Sequence, residues 1–242
     1  MPDPSYNELA QLYGLDPVPE SVLRLTQLVA RQNADLDEIA NIISADPAIS
    51  QRLLRTANPR AATEKDYEIT TVEDALRHNG LGCVLLLAMG TPLSLALMKT
   101  FKTMLGLKLD GVNPKTVRPF LSEYVLGTIN FSGKATGWVY LRLSIEGARL
   151  IAARVLGVDP EELKDRSEVD DAVGELLNIV AGNFKSHLCD AGLDSTLHTP
   201  IVTRTTRFTI DTPQGAGLEH MAFTAPDLKL FVDVMVNPWT QG

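Results

Sequence analysis

Residues 171–188 of the chain read Asp-Ala-Val-Gly-Glu-Leu-Leu-Asn-Ile-Val-Ala-Gly-Asn-Phe-Lys-Ser-His-Leu, and this stretch constrains the fold more than any other. At about 100° per residue, Val173, Leu177, Val180, Ala181, Phe184 and Leu188 share one side of a helix. Asp171, Glu175, Asn178, Gly182 and Ser186 share the other. The first set predicts a face laid on a core, and the second a face turned to solvent. Glu175 and Asn178 stand at i and i+3, so a carboxylate and a carboxamide are neighbours on one surface patch. Gly182, a turn further on, leaves that patch without a side chain and open to the approach of another backbone. An asparagine and two glycines in mid-helix are not what helix propensity selects.

Around this helix the chain has 242 residues, 45% of them hydrophobic, enough for one large core or two modest ones. The net charge of −8 is concentrated early: residues 1–88 hold 7 basic and 13 acidic side chains, the remaining 154 hold 15 and 17. An acidic first third and the lack of a basic cluster exclude nucleic acid as an expected partner. Two cysteines, Cys83 and Cys189, each in an apolar helical context, exclude a disulfide framework and predict buried reduced thiols. No basic stretch followed by an apolar run opens the chain, and the apolar window from Cys83 towards Leu97 is interrupted by Gly90 and Pro92. A soluble cytoplasmic protein with no membrane partner is the expectation.

The pattern divides near position 90. Residues 1–16 are a lead-in with a short helical possibility at 5–13, and helical periodicity starts at Pro19. Helices are predicted over 20–30, after the capping Asp35, from Pro47 to Asn58 behind Asp46, and after Thr71, with 59–68 a polar loop. Gly80 and Gly82 punctuate the passage to another helix ending near Met89. Beyond Thr91 come a helix at 92–105, strand-like alternation at 107–112, and strands at 128–131 and 137–143 around a hairpin at Ser132–Thr136. A helix at 145–156 closed by Gly157 precedes the 171–188 helix. Alternation at 199–209 and 222–236, broken at Pro226-Asp227, ends the pattern. The prediction is an all-α module over 17–89, then an α+β domain over 90–242 with an antiparallel sheet and packed helices.

The first module resembles the N-terminal part of HDOD domains, through Val18-Pro19-Glu20, Ile43-Ser44-Ala45-Asp46-Pro47, Leu53-Leu54-Arg55 and Ile69 to Leu76. As a resemblance over about 70 residues it implies a truncated regulatory or docking module. The chain has no His-Asp dipeptide to support the metal phosphohydrolase centre of related proteins. The second domain resembles the CheX/CheC chemotaxis phosphatases. The resemblance rests on Asp171-x-x-x-Glu175-x-x-Asn178 with Pro200 22 positions later, on Met98 to Gly106, on Phe131-Ser-Gly133 with Thr136-Gly137, and on Gly174 to Asn183. The 92–105 helix has no Glu-x-x-Asn, which matches the single-site CheX arrangement.

That resemblance implies an aspartyl-phosphate phosphatase acting on a phosphorylated response regulator receiver domain of the CheY type, in chemotaxis or another two-component circuit. Asn178 would orient the attacking water, since a carboxamide donates and accepts at once. Glu175 would pair with the receiver's lysine. No cofactor or metal of the chain's own is implied; Mg²⁺ would come with the receiver. A homodimer formed by joined sheets is also implied. The alternative is a receiver-binding adaptor or regulatory module without turnover. Other polar residues take ordinary roles: Asp171 is expected as a charge favourable to the helix dipole, Pro200 as the entry to a strand, and Asn183 and His187 as surface groups. His78, His198 and His220 have no neighbours at metal-ligand spacing.

Overall fold

The computed structural model describes residues 19–29, 35–58, 68–163, 165–190 and 193–237. The lead-in at 1–16 and the polar loop at 59–67 lie outside them. Three helices open the described chain: α1 (Glu20–Val29), α2 (Leu36–Ala45) and α3 (Pro47–Ala57). Their starts are dictated locally. The Asp35 side chain accepts from the Asp37 N–H at the head of α2, and the Asp46 carboxylate accepts from the N–H groups of Ala48 and Ile49 at the head of α3. Pro47 sits in the first turn of α3, where a missing N–H costs no hydrogen bond.

The long helix α4 (Val72–Leu105) follows, capped by the Thr71 side chain on the Asp74 N–H. Its one non-helical residue is Gly80, at φ 72°, and its axis bends by 44° between Gly82–Gly90 and Leu93–Leu105. The joins expected at Gly80 and near position 90 are thus a kink and a bend within this stretch of helix. Among the described residues no single helix is long and apolar enough to cross a membrane. The apolar run Val84–Met89 is instead absorbed by burial, at 0 to 4% exposure.

The α+β part contains β1 (Asp110–Val112), β2 (Tyr124–Gly133), β3 (Gly137–Ser144), α5 (Ile145–Leu156), α6 (Arg166–Asp190), β4 (Ser195–Leu197), β5 (Ile201–Thr205), β6 (Gly217–Ala225) and β7 (Leu228–Val236). The strands form one antiparallel sheet in the order β1-β6-β7-β3-β2, with β4 and β5 following one another along the outer edge of β2. This is the predicted α+β class: a sheet with helices on one face and an all-helical segment before it.

Side chains at alternate positions, such as Val125, Ile129 and Phe131 of β2 or Leu230, Val232 and Val234 of β7, face the helices. They form one continuous apolar cluster with α1 to α6. The opposite face has its own cluster, Tyr124, Leu126, Tyr140 and Met235, covered by Phe120, Phe208 and Ile210.

That second cluster explains why β2 is longer than the 128–131 expected. Its first half is buried on both faces, so apolar and polar residues do not alternate there. β6 begins at Gly217 rather than near 222, because Glu219 and His220 break the apolar pattern in sequence while remaining paired in the sheet. β4, three residues long, carried no sequence signal. Of the two cysteines, Cys83 is buried, whereas Cys189 is only half-buried. Burial, reinforced by the charge of Glu219, pushes the Cys83 thiol up to about 11.

Candidate functional site

α6 is the element on which the candidate site stands, and its apolar face is as predicted. Val173, Leu177, Val180, Ala181, Phe184 and Leu188 are at most 1% exposed, while Asp171, Glu175, Asn178 and Ser186 are exposed and Gly182 is half-exposed. The helix beds on β2, where Phe184 meets Phe131 edge-on with ring centroids 5.5 Å apart. Gly127 makes room for it, since a Cβ there would come within 3.0 Å of Leu177 Cδ2.

Both flanks of α6 are fixed. On the β5 side, Arg204 Nη1 donates to Asp170 Oδ2 at 2.7 Å. One turn on, Gly174 faces Pro200 and Val202, with room for a Cβ 3.9 Å from Pro200 Cγ and 3.6 Å from Val202 Cγ2. Pro200 lies in the break between β4 and β5, where the edge of the sheet is interrupted. It therefore does more than start a strand: it rests against the helix at the residue before Glu175. On the α4 side, Asn183 Nδ2 donates to Thr100 Oγ1 at 3.1 Å. Asn183 is a helix–helix bridge, not the surface group expected.

Between these fixed flanks Glu175 and Asn178 project outwards, one helical turn apart and so about 5–6 Å between Cβ atoms. Among the described residues neither side chain has a hydrogen-bond or ion-pair partner. Their polar atoms are directed to solvent on a helix that cannot easily rotate. Such a pair can bind groups brought by another molecule: Glu175 accepts from a cation, and Asn178 both donates and accepts.

Asp171 is exposed, as expected, but its dipole role falls away. α6 starts at Arg166, five residues earlier than the motif suggested, so Asp171 lies in the second turn, beyond the strongest end effect. The start is set by Asp165, whose Oδ1 accepts from the Ser167 N–H at 2.9 Å. That hydrogen bond holds its carboxyl below the usual carboxylate range.

Two clusters escaped the sequence reading. Asp233 on β7 is fully buried; its Oδ2 accepts from Arg142 Nε and Nη2 at 3.0 and 2.8 Å, and its Oδ1 lies 2.6 Å from His220 Nδ1. The three residues sit on the sheet face away from α6, on β7, β3 and β6. Their only sequence signal is an aspartate inside an apolar strand. His198, by contrast, lies 2.8 Å from Ser132 Oγ, tying the stretch before Pro200 to the end of β2. Among the described residues no three His, Cys, Asp or Glu side chains converge as a metal site.

Comparison with known proteins agrees with this architecture. Residues 125–224 match the family model described as Chemotaxis phosphatase CheX, and residues 15–110 match that of the HDOD domain. No curated protein matches the chain. Among solved structures, the chemotaxis protein CheX from Vibrio vulnificus is 28% identical with a TM-score of 0.51, over 60% of this chain and 94% of that one. A CheC-like superfamily protein from Shewanella sp. PV-4 is 27% identical with a TM-score of 0.52, over 62% and 97%. The CheX of Desulfovibrio desulfuricans has the same fold at 19% identity and a TM-score of 0.52, over 62% of this chain and 99% of that one. The chain joins an HDOD-type helical segment to a CheX-type α+β segment. The HDOD match continues to residue 110, through the whole of α4.

Proposed function

We propose that the protein hydrolyses the aspartyl phosphate of a response regulator receiver domain, with Asn178 orienting the water and Glu175 fixing the docking register. One observation supports this above others. The two polar side chains that the chemotaxis-phosphatase resemblance singles out face solvent, have no partner among the described residues, and sit on a helix held at both flanks.

An acyl phosphate is activated already, so the demand on the phosphatase is geometric: a water in line with the scissile P–O bond and few competing orientations. The Asn178 carboxamide meets it by accepting one hydrogen bond from the water and donating another to the water or the phosphoryl oxygens. Glu175, a turn earlier, forms a charge-assisted hydrogen bond with the receiver's lysine and so sets where Asn178 arrives. The receiver brings its own Mg²⁺, which neutralises phosphoryl charge. No nucleophile is required of this chain.

The test is dephosphorylation of receiver domains charged with acetyl phosphate, by the wild type and by Asn178→Ala. Acceleration that the variant loses by about 100-fold, with receiver binding retained, is the expected result. Binding without acceleration by the wild type would leave a receiver-docking adaptor in its place.

A further inference from the structure

Gly182 lies one turn beyond Asn178 on the same exposed line of α6, and the fold gives no reason for a glycine there. Glycine is among the poorest residues for a helix interior. At two other helical glycines packing leaves little room: a Cβ at Gly82 would meet Val236 O at 3.0 Å, and one at Gly147 would meet Leu228 Cδ1 at 3.1 Å. Among the described residues a Cβ at Gly182 would meet nothing within 4 Å, and its φ is not left-handed. Neighbouring side chains also leave the spot bare. Ser186 Oγ donates to the Gly182 carbonyl at 3.1 Å, folding back on the helix, and Asn183 turns aside to Thr100. The result is an exposed notch of helix backbone beside the Glu175–Asn178 pair, made without help from any internal packing constraint.

We infer that Gly182 is the point of closest approach between this protein and the receiver domain, a notch that admits the partner's polypeptide backbone and so sets docking specificity. This rests on the function proposed above and deepens it. A backbone passing over Gly182 at van der Waals distance lies one turn, about 5.4 Å, from Asn178. That spacing lets a loop cross the helix while the group it carries reaches the carboxamide. Any side chain at 182 would obstruct that approach, so that the productive complex forms less often while its geometry at Asn178, once formed, is kept.

The experiment compares the wild type, Gly182→Ala and Gly182→Leu on an acetyl-phosphate-charged receiver that the wild type dephosphorylates, with thermal melts of each free protein. Melting temperatures at or above that of the wild type are expected for Gly182→Ala, because alanine is the better helix former. KM is expected to rise in the order Gly, Ala, Leu, by at least about tenfold for Leu, the equivalent of about 1.4 kcal/mol. The kcat at saturating receiver should stay within about twofold of the wild type. Unchanged KM for folded Gly182→Leu, or a loss confined to kcat, would overturn the inference while leaving the phosphatase reading intact. A wild type that neither binds nor dephosphorylates any receiver would overturn both.

Discussion

Arg52 on α3 and Glu219 on β6, 167 positions apart, meet at 2.9 Å between Nη2 and Oε1. This ion pair bridges the HDOD-type helices and the CheX-type sheet. Both residues line an open groove of about 520 Å³ between α4 and the β1–β6 edge, together with Ser94, Met98, Met221 and Phe223. Burial holds the Glu219 carboxyl above its ordinary value, and the Arg52 charge pulls it partly back.

Arg52→Ala should therefore destabilise the protein by about 1–2 kcal/mol at pH 7, less than a fully buried pair because both side chains retain some exposure. An acid whose folded pKa is raised is protonated first in the folded state. Its penalty to stability is absent at acid pH and develops as pH rises above 4.5 and through the raised value. Removing Arg52 raises that value further. Urea denaturation should show the deficit large at pH 7 and much smaller near pH 4.

Asp233→Ala should cost more. The aspartate is fully buried and holds Arg142 from two nitrogens, so its loss strands a guanidinium whose side chain is 22% exposed. Breaking such a pair from one side costs about 3 kcal/mol. A thermal melt should reveal a large fall, with Asp233→Asn intermediate because its oxygen still accepts from Arg142.

Where α4 crosses the sheet end, Gly82 backs onto Val236 O and the Gly217 N–H, at 3.0 and 3.1 Å from the place a Cβ would take. Backbone atoms cannot step aside as a side-chain tip can. Gly82→Ala should destabilise by about 1–3 kcal/mol, measured as a shift in the urea midpoint at an unchanged slope.

Glu175→Gln keeps the size and removes the charge on which the proposed docking contact relies. The expected result is a several-fold rise in KM for the phosphorylated receiver, about the factor of 5 that 1 kcal/mol represents, with melting temperature unchanged because the residue is exposed. The wild type's KM should climb with salt more steeply than the variant's, since only the wild type has that charge to screen. Parallel salt curves would remove Glu175 from the docking contact.

The parts of this fold that could be read from sequence are those written in local chemistry. Asp35, Asp46-Pro47, Thr71 and Gly157 end or begin helices by hydrogen bonds or backbone conformation within a few residues, and the structure agrees at each. Glu175 and Asn178 were legible because helical spacing alone puts them on the solvent side. The long-range side-chain bridges were not. Asp170–Arg204, Asn183–Thr100 and Arg142–Asp233 span 34, 83 and 91 positions, and nothing in a local pattern tells an aspartate which arginine it will meet. The 166 start of α6 was missed for a similar reason: the polar first turn capped by Asp165 has too few apolar residues to show a period.

The double engagement of α4 has a consequence for how such a chain can be taken apart or inherited. Its first half shares a core with α1, α2 and α3, and its second half is bonded to the helix that presents Asn178. Among the described residues there is no seam along which the two family-type segments could be exchanged as cassettes. A graft of foreign helices upstream of residue 90 would have to match the sheet end at Gly217 and the Arg52 partner on β6, residues that lie in the other segment. Change in either half is answerable to the other, so the unit that drifts and adapts is the whole chain.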